Sequence, residues 1–136
     1  MDIRFAETIP TKRAPAEYFS GTVWQEALVE APPPASLRAV RVTFEPGART
    51  AWHTHPLGQT LYVLSGVGLI QLWGEPARLI KPGDAVWIAP GEKHWHGARA
   101  GNAMTHLAMQ EALDGSAAAW MELVSDAQYA SAEGQA

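Results

Sequence analysis

A chain of 136 residues, 47% of them apolar, with a net charge of −4 and no cysteine, has the size and composition of one packed globular domain. The absence of cysteine excludes disulfides, thiolate zinc sites and cysteine nucleophiles. No Lys/Arg cluster offers a surface for nucleic acid or anionic lipid, and no stretch reaches membrane-spanning length, so a cytoplasmic protein with neither nucleic-acid nor membrane partners is expected.

From the N-terminus, residues 22–29 read as a strand, broken by Ala31-Pro32-Pro33-Pro34. Residues 37–44 follow, with Val40, Val42 and Phe44 on one face at period two. Glu45-Pro46-Gly47-Ala48 is a turn, because Pro fixes φ and Gly tolerates a positive one. Residues 50–55 are strand again, then 60–64, ending at Ser65-Gly66, then 69–73. Gly74-Glu75-Pro76 turns into 78–80, Lys81-Pro82-Gly83-Asp84 into 85–88, and Pro90-Gly91-Glu92 into 94–98. Residues 104–110 are the last clear strand. Short strands at such regular spacing signal an all-β sandwich or barrel. Residues 117–124 fit either an amphipathic helix or an edge strand. Ser125-Asp126-Ala127-Gln128-Tyr129 begins a capped terminal helix.

Chemistry concentrates in the histidines. His53 and His55 are one residue apart, which on a strand puts both imidazoles on one face, roughly 7 Å apart at Cα. His94 and His96 repeat the arrangement on a later strand, so four of the five histidines lie in two such pairs, each just after a Gly/Pro turn. Neutral imidazoles converging in this way suit a divalent ion such as Zn, Fe, Mn, Ni or Cu better than a purely structural role. His106 shares a face with Met104, Ala108 and Gln110. A buried neutral histidine bonded to a backbone carbonyl is an equally good reading of His106. Val40 and Val42 would form an apolar wall opposite the histidines if their strand is adjacent. Trp52 and Trp95 alternate out of phase with the ligand histidines and are expected behind the site or at a subunit contact. Arg38, Arg41 and Arg49 read as surface or interface charges.

Gly47, five residues, His53-x-His55, three residues, Gln59, six residues and Gly66 together resemble the first cupin motif, with Gln59 where a Glu usually stands. The run from Gly83 to His94 resembles the second, with Ala89 at the usual Pro and Ala98 at the usual Asn. The resemblance implies a double-stranded β-helix, or jelly roll, spanning 1–136 as a single cupin domain with its barrel core at about 37–111 and short terminal helical segments. It implies a metal inside, held by His53, His55, His94 and Gln59. A neutral amide at Gln59 leaves the ion's charge uncancelled, which strengthens its pull on an anionic oxygen and disfavours redox work.

The segments from Phe44 to Leu61, from Pro90 to Gly97 and from Ala103 to Ala108, with Trp-Met-Glu and Gln-Tyr near the C-terminus, are similar to the small bacterial cupin hydroxynitrile lyases that use manganese. That likeness implies manganese as the cofactor, with iron, zinc or nickel as alternatives, and a reversible cleavage of cyanohydrins to aldehyde and hydrogen cyanide. It assigns the proton chemistry to His96 and His106; a small-molecule substrate would then be held by Val40 and Val42, with Gln110 near the rim. Three other readings share the residues: a metal-dependent cupin dioxygenase, another metal-assisted isomerase, hydrolase or decarboxylase, and a non-catalytic small-molecule binding module. A homodimer or homotetramer is expected, since cupins associate through their outer sheets.

Overall fold

The turn signals divide the chain where expected, and the computed structural model, which describes residues 1–136, shows two antiparallel sheets facing each other. A 3-10 turn at Ala6–Thr8 precedes thirteen strands: β1 (Lys12–Arg13), β2 (Phe19–Ser20), β3 (Val23–Glu30), β4 (Leu37–Phe44), β5 (Arg49–Thr50), β6 (His53–Thr54), β7 (Gln59–Gly66), β8 (Gly68–Leu72), β9 (Arg78–Ile80), β10 (Ala85–Ile88), β11 (His94–Ala98), β12 (Met104–Glu111) and β13 (Ala119–Trp120). The helix α1 (Asp126–Gln135) closes the chain. One sheet runs β1-β3-β4-β12-β7-β10; the other runs β13-β6-β11-β5-β2, with β8 joining β11 to β9. No helix is long and apolar enough to cross a membrane.

Period-two alternation decides which side chains enter the space between the sheets. Val23, Val42, Phe44, Leu61, Val63, Ile70, Ile80, Ile88 and Met104 pack there as one cluster. Burying each such side chain stabilises the fold by about 1.5–3 kcal/mol before entropy is counted. A second cluster of Trp52, Leu69, Trp95, Val124, Tyr129 and Ala132 lies on the outer side of the second sheet, beneath α1. That sheet is therefore covered on both faces, and every residue of β11 is buried. Trp52 and Trp95 fill the space behind the histidines, as their phase implies.

One stretch departs from the sequence reading, and one that the sequence left open is decided. Residues 50–55 are not one strand: Ala51 and Trp52 interrupt it, because their N–H groups donate to the carbonyls of Tyr18 and Glu122. Within 117–124 only Ala119–Trp120 forms strand, at the edge of the second sheet, with Trp120 paired to His53. Gly97 illustrates how tightly the second sheet is drawn together, since a Cβ there would collide with the Ala48 carbonyl oxygen and with Arg49. Gly66 has φ +77°, and a side chain would run into the Ala103 carbonyl.

Arg49 is a correction. It is buried rather than a surface charge, and it ties α1 to the sheet. Its Nη2 donates to the Val124 carbonyl at 3.0 Å and to Asp126 Oδ1 at 2.8 Å, and its guanidinium stacks 4.5 Å from the Tyr129 ring. Ser125 caps the helix reciprocally with Gln128. Replacing Arg49 by Met leaves a buried carbonyl without a donor, so urea denaturation should show a loss of about 2–3 kcal/mol. Asp126→Asn removes only the exposed half of the pair and should cost less than about 1 kcal/mol. Equal losses would mean that the ion pair, not the buried carbonyl bond, holds the helix.

Candidate active site

β6, the residues just after it, and β11 bring the paired histidines together inside the barrel. His53 and His94 are direct cross-strand partners, with ring centroids 4.2 Å apart. His55 lies just beyond the end of β6, yet its ring still turns inward, 4.9 Å from that of His53. His96 follows two residues after His94 and points the same way, as a strand requires. All four are buried, as are Gln59 at the start of β7 and His106 on β12.

The hydrogen bonds sort these side chains into two groups. His53, His55 and His94 each place Nδ1 against a backbone carbonyl, that of Ala51 at 2.8 Å, Ala117 at 2.7 Å and Glu92 at 2.9 Å. In a neutral ring this puts the proton on Nδ1 and leaves Nε2 as a free lone pair. Gln59 donates its amide N–H to Gln110 Oε1 at 3.0 Å, which leaves its own Oε1 free. Nε2 of His55, Nε2 of His94 and Oε1 of Gln59 are buried without any hydrogen-bond partner. An unpaired buried acceptor costs about 1–3 kcal/mol, so this concentration needs an electron-pair acceptor to satisfy it, and a divalent cation fits.

His96 and His106 form the second group. His106 Nε2 lies 3.0 Å from His96 Nδ1, so the partner of His106 is another imidazole and not a backbone carbonyl. The remaining ring nitrogens, His96 Nε2 and His106 Nδ1, are buried and unpartnered. By distance alone, His53, His94 and His96 make the tightest metal-competent trio, their ring nitrogens all within 4.8 Å of one another. His96 differs from the other two in its bond to His106, whereas His55 shares their carbonyl-bonded pattern.

Burial disfavours the imidazolium form throughout. It lowers His94 and His106 to about 4 and lowers His96 and His53 well below the usual value, with neighbouring imidazoles adding to the effect on both of these. His55 is lowered too, by burial, against the opposing pull of the Ala117 carbonyl and the Gln59 amide. Every ring at this centre is therefore neutral in neutral solution, the form that ligates metals and accepts protons.

The histidines open onto a cavity of about 110 Å³. Val40, Val42 and Ala108 form its apolar wall, and Gln110 lies on it beside Gln59. Phe19, Gln25, Thr50 and Trp120 also line it, and sequence reasoning missed them. Thr50 Oγ1 accepts the His96 backbone N–H at 3.2 Å. Trp120 is sandwiched between Tyr18, at 4.8 Å, and His53, at 4.6 Å. The Trp-Met-Glu run was a signal for Trp120. Strand parity with Val23 was a signal for Gln25, but Phe19 carried none.

Comparison with known proteins agrees with this geometry. The cupin domain family matches residues 40–109. The (R)-mandelonitrile lyase of Granulicella tundricola is 56% identical over 129 residues, 95% of this chain and 98% of that one. A cupin-like protein from Thermotoga maritima superposes with a TM-score of 0.84 at 38% identity, covering 90% of this chain and 93% of its own. A polyketide cyclase from Streptomyces resistomycificus shares the fold, at a TM-score of 0.75 and 18% identity over 95% of this chain and 90% of its own. With half the chain matched by the family and nearly all of it by so similar a relative, the protein belongs to the cupin family.

Proposed function

We infer that the protein is a metal-dependent hydroxynitrile lyase, cleaving cyanohydrins such as mandelonitrile reversibly to aldehyde and hydrogen cyanide. The observation that carries this reading is the 56% identity, over nearly the full length of both chains, to a mandelonitrile lyase. The site supports it with a proton-handling pair set in an apolar cavity beside a cluster of free lone pairs. The ligands would be His53, His55, His94 and Gln59, and manganese is the ion proposed. When bound, it supplies Lewis-acid stabilisation to an oxygen that gains negative charge.

The chain's own residues account for the rest. Val40 and Val42 hold the aryl or alkyl substituent, and Gln110 both borders the cavity and keeps the Gln59 amide turned. Cleavage removes the hydroxyl proton, breaks the C–C bond with its electron pair leaving on the cyanide carbon, and delivers a proton to that cyanide. His96 and His106, joined at 3.0 Å, can pass a proton between them, so one ring takes the hydroxyl proton while the other returns one to cyanide. Their low basicity keeps both rings uncharged and ready to accept. The exposed Tyr62, Leu64 and Trp87 on the outer face of the six-stranded sheet suit a homodimer or homotetramer built on that face.

Purified protein loaded with manganese should release benzaldehyde from mandelonitrile, and the metal-free protein should not. His106→Ala should lower turnover by about 10²–10⁴-fold while elemental analysis finds the metal content unchanged. Full activity in that variant would remove His106 from the chemistry, and no benzaldehyde from any metal-loaded sample would overturn the lyase reading.

The neutral imidazoles also set a pH dependence. Folded His94 and His106 sit at about 4, whereas the unfolded chain titrates near the ordinary value of about 6.5. Between those values the unfolded state binds protons that the folded state refuses, so stability rises with pH across the window. It should be complete above about 6.5 and decline as the pH falls toward 4. Thermal melts of metal-free protein at pH 7, 6, 5 and 4.5 should show a steadily falling Tm; a constant Tm would mean that the rings protonate without cost.

A further inference from the structure

The cavity at the histidines does not end the hollow of the barrel. Gln25 and Val40 line both it and a larger outer chamber of about 520 Å³, whose other walls include Arg4, Ile9, Lys12 and Glu30. Directly opposed residues in antiparallel strands put their side chains on the same face. The register runs His106–Val42 across β12 and β4, Val42–Gln25 across β4 and β3, and Gln25–Lys12 across β3 and β1. One straight row on the concave face of the six-stranded sheet therefore leads from the buried His106 to Lys12 at the rim. Three strand spacings put roughly 14 Å between the two backbones. The adjacent row runs Ala108–Val40–Ala27. Above its outer end Arg4 is anchored by Nη1 donating to the Ala27 carbonyl at 2.9 Å.

The charge of the chamber runs against that of the whole molecule. The chain carries −4 overall, yet Arg4 and Lys12 face a single carboxylate there, Glu30, whose cross-strand partner is Arg38. Neither Arg4 nor Lys12 takes part in an ion pair. Two cations outside any ion pair, at the outer end of a row whose intervening members Gln25 and Val42 are uncharged, form a selective arrangement for an elongated molecule charged at its far end.

We propose that the outer chamber is a second substrate subsite, in which Lys12 and Arg4 receive an anionic group, a carboxylate, carried about one aromatic ring's length from the reacting carbon. The preferred substrates are then carboxylate-bearing aryl cyanohydrins or their aldehydes. For the reaction this rests on the lyase reading; for binding it does not.

The test compares the cyanohydrin of 4-formylbenzoate with that of its methyl ester, two molecules alike in shape and different in charge. In the unaltered, metal-loaded protein the acid should exceed the ester in kcat/KM by about five-fold or more at low salt, a margin that shrinks as salt is added. In the Arg4→Gln/Lys12→Gln double variant the ratio should fall to about one. A ratio that persists in the double variant would place the carboxylate elsewhere, the metal included, and overturn the proposal. Calorimetric titration with 4-(hydroxymethyl)benzoate against 4-methylbenzyl alcohol reads the same discrimination without turnover. If mandelonitrile is not cleaved but the acid still binds tighter in a manner that the double variant abolishes, the lyase reading falls and the subsite stands. If mandelonitrile is cleaved and neither assay distinguishes the acid from its uncharged counterpart, the subsite falls alone.

Discussion

Three imidazoles that give their Nδ1 protons to backbone carbonyls set the terms for everything around them. The bonds to Ala51, Ala117 and Glu92 fix which nitrogen of each ring is bare, and burial keeps each ring uncharged. A bare Nε2 deep in a protein is costly, and so is a free amide oxygen such as that of Gln59. The fold must then hold several unsatisfied acceptors within a few ångströms of one another against their own desolvation. The covered second sheet is how it does so. With hydrophobic side chains on one face and the Trp95–Tyr129 layer on the other, β11 has little room to shift. Its histidines stay where a single ion can satisfy them together.

The same constraint explains why the two histidine pairs are not equivalent. His94 is bonded to the carbonyl two residues before it, as His53 is, whereas His96 is bonded to a side chain from the opposite sheet. That cross-sheet contact ties β11 to β12 and separates one imidazole from the others in its bonding while leaving it close to them in space. A compact trio chosen on distance includes His96; the hydrogen bonds set it apart. Proximity alone therefore does not distinguish these rings, whereas the second bond of each does.

Much of this was legible in the sequence, for reasons that are local. Period-two alternation and Gly/Pro punctuation located β4, β9, β10 and β11 to the residue and β3, β7, β8 and β12 within about two residues. The His-x-His spacings and the Gln59 position were visible because motif spacing is a property of a short stretch of chain. What escaped depends on remote partners. The break between β5 and β6 arises from carbonyls at Tyr18 and Glu122, and nothing in residues 50–55 announces them. Arg49 looked like surface charge because its partners lie some seventy-five residues away at Val124 and Asp126. Phe19 reaches the cavity only because the two-residue β2 pairs with β5, a contact too brief to leave a periodic signal.

Gln59 shows how the two halves of the site depend on one sheet. Its amide N–H is held by Gln110, which lies directly opposite it across β7 and β12. Gln110 in turn faces Arg38 on β4 and lies on the same face as Ala108 and His106. The six-stranded sheet thus orients the proposed amide ligand, carries His106, the proposed proton-handling group, and forms the apolar wall with Val40 and Val42. A carboxylate at position 59 would need no such partner to choose its free oxygen, because both of its oxygens accept. An amide does need one, since a flipped side chain would present N–H groups to a cation. Replacing charge by a dipole at this position therefore makes the neighbouring Gln110 part of the proposed metal site's construction, and it links the geometry of the proposed ligand set to the same strand that shapes the cavity.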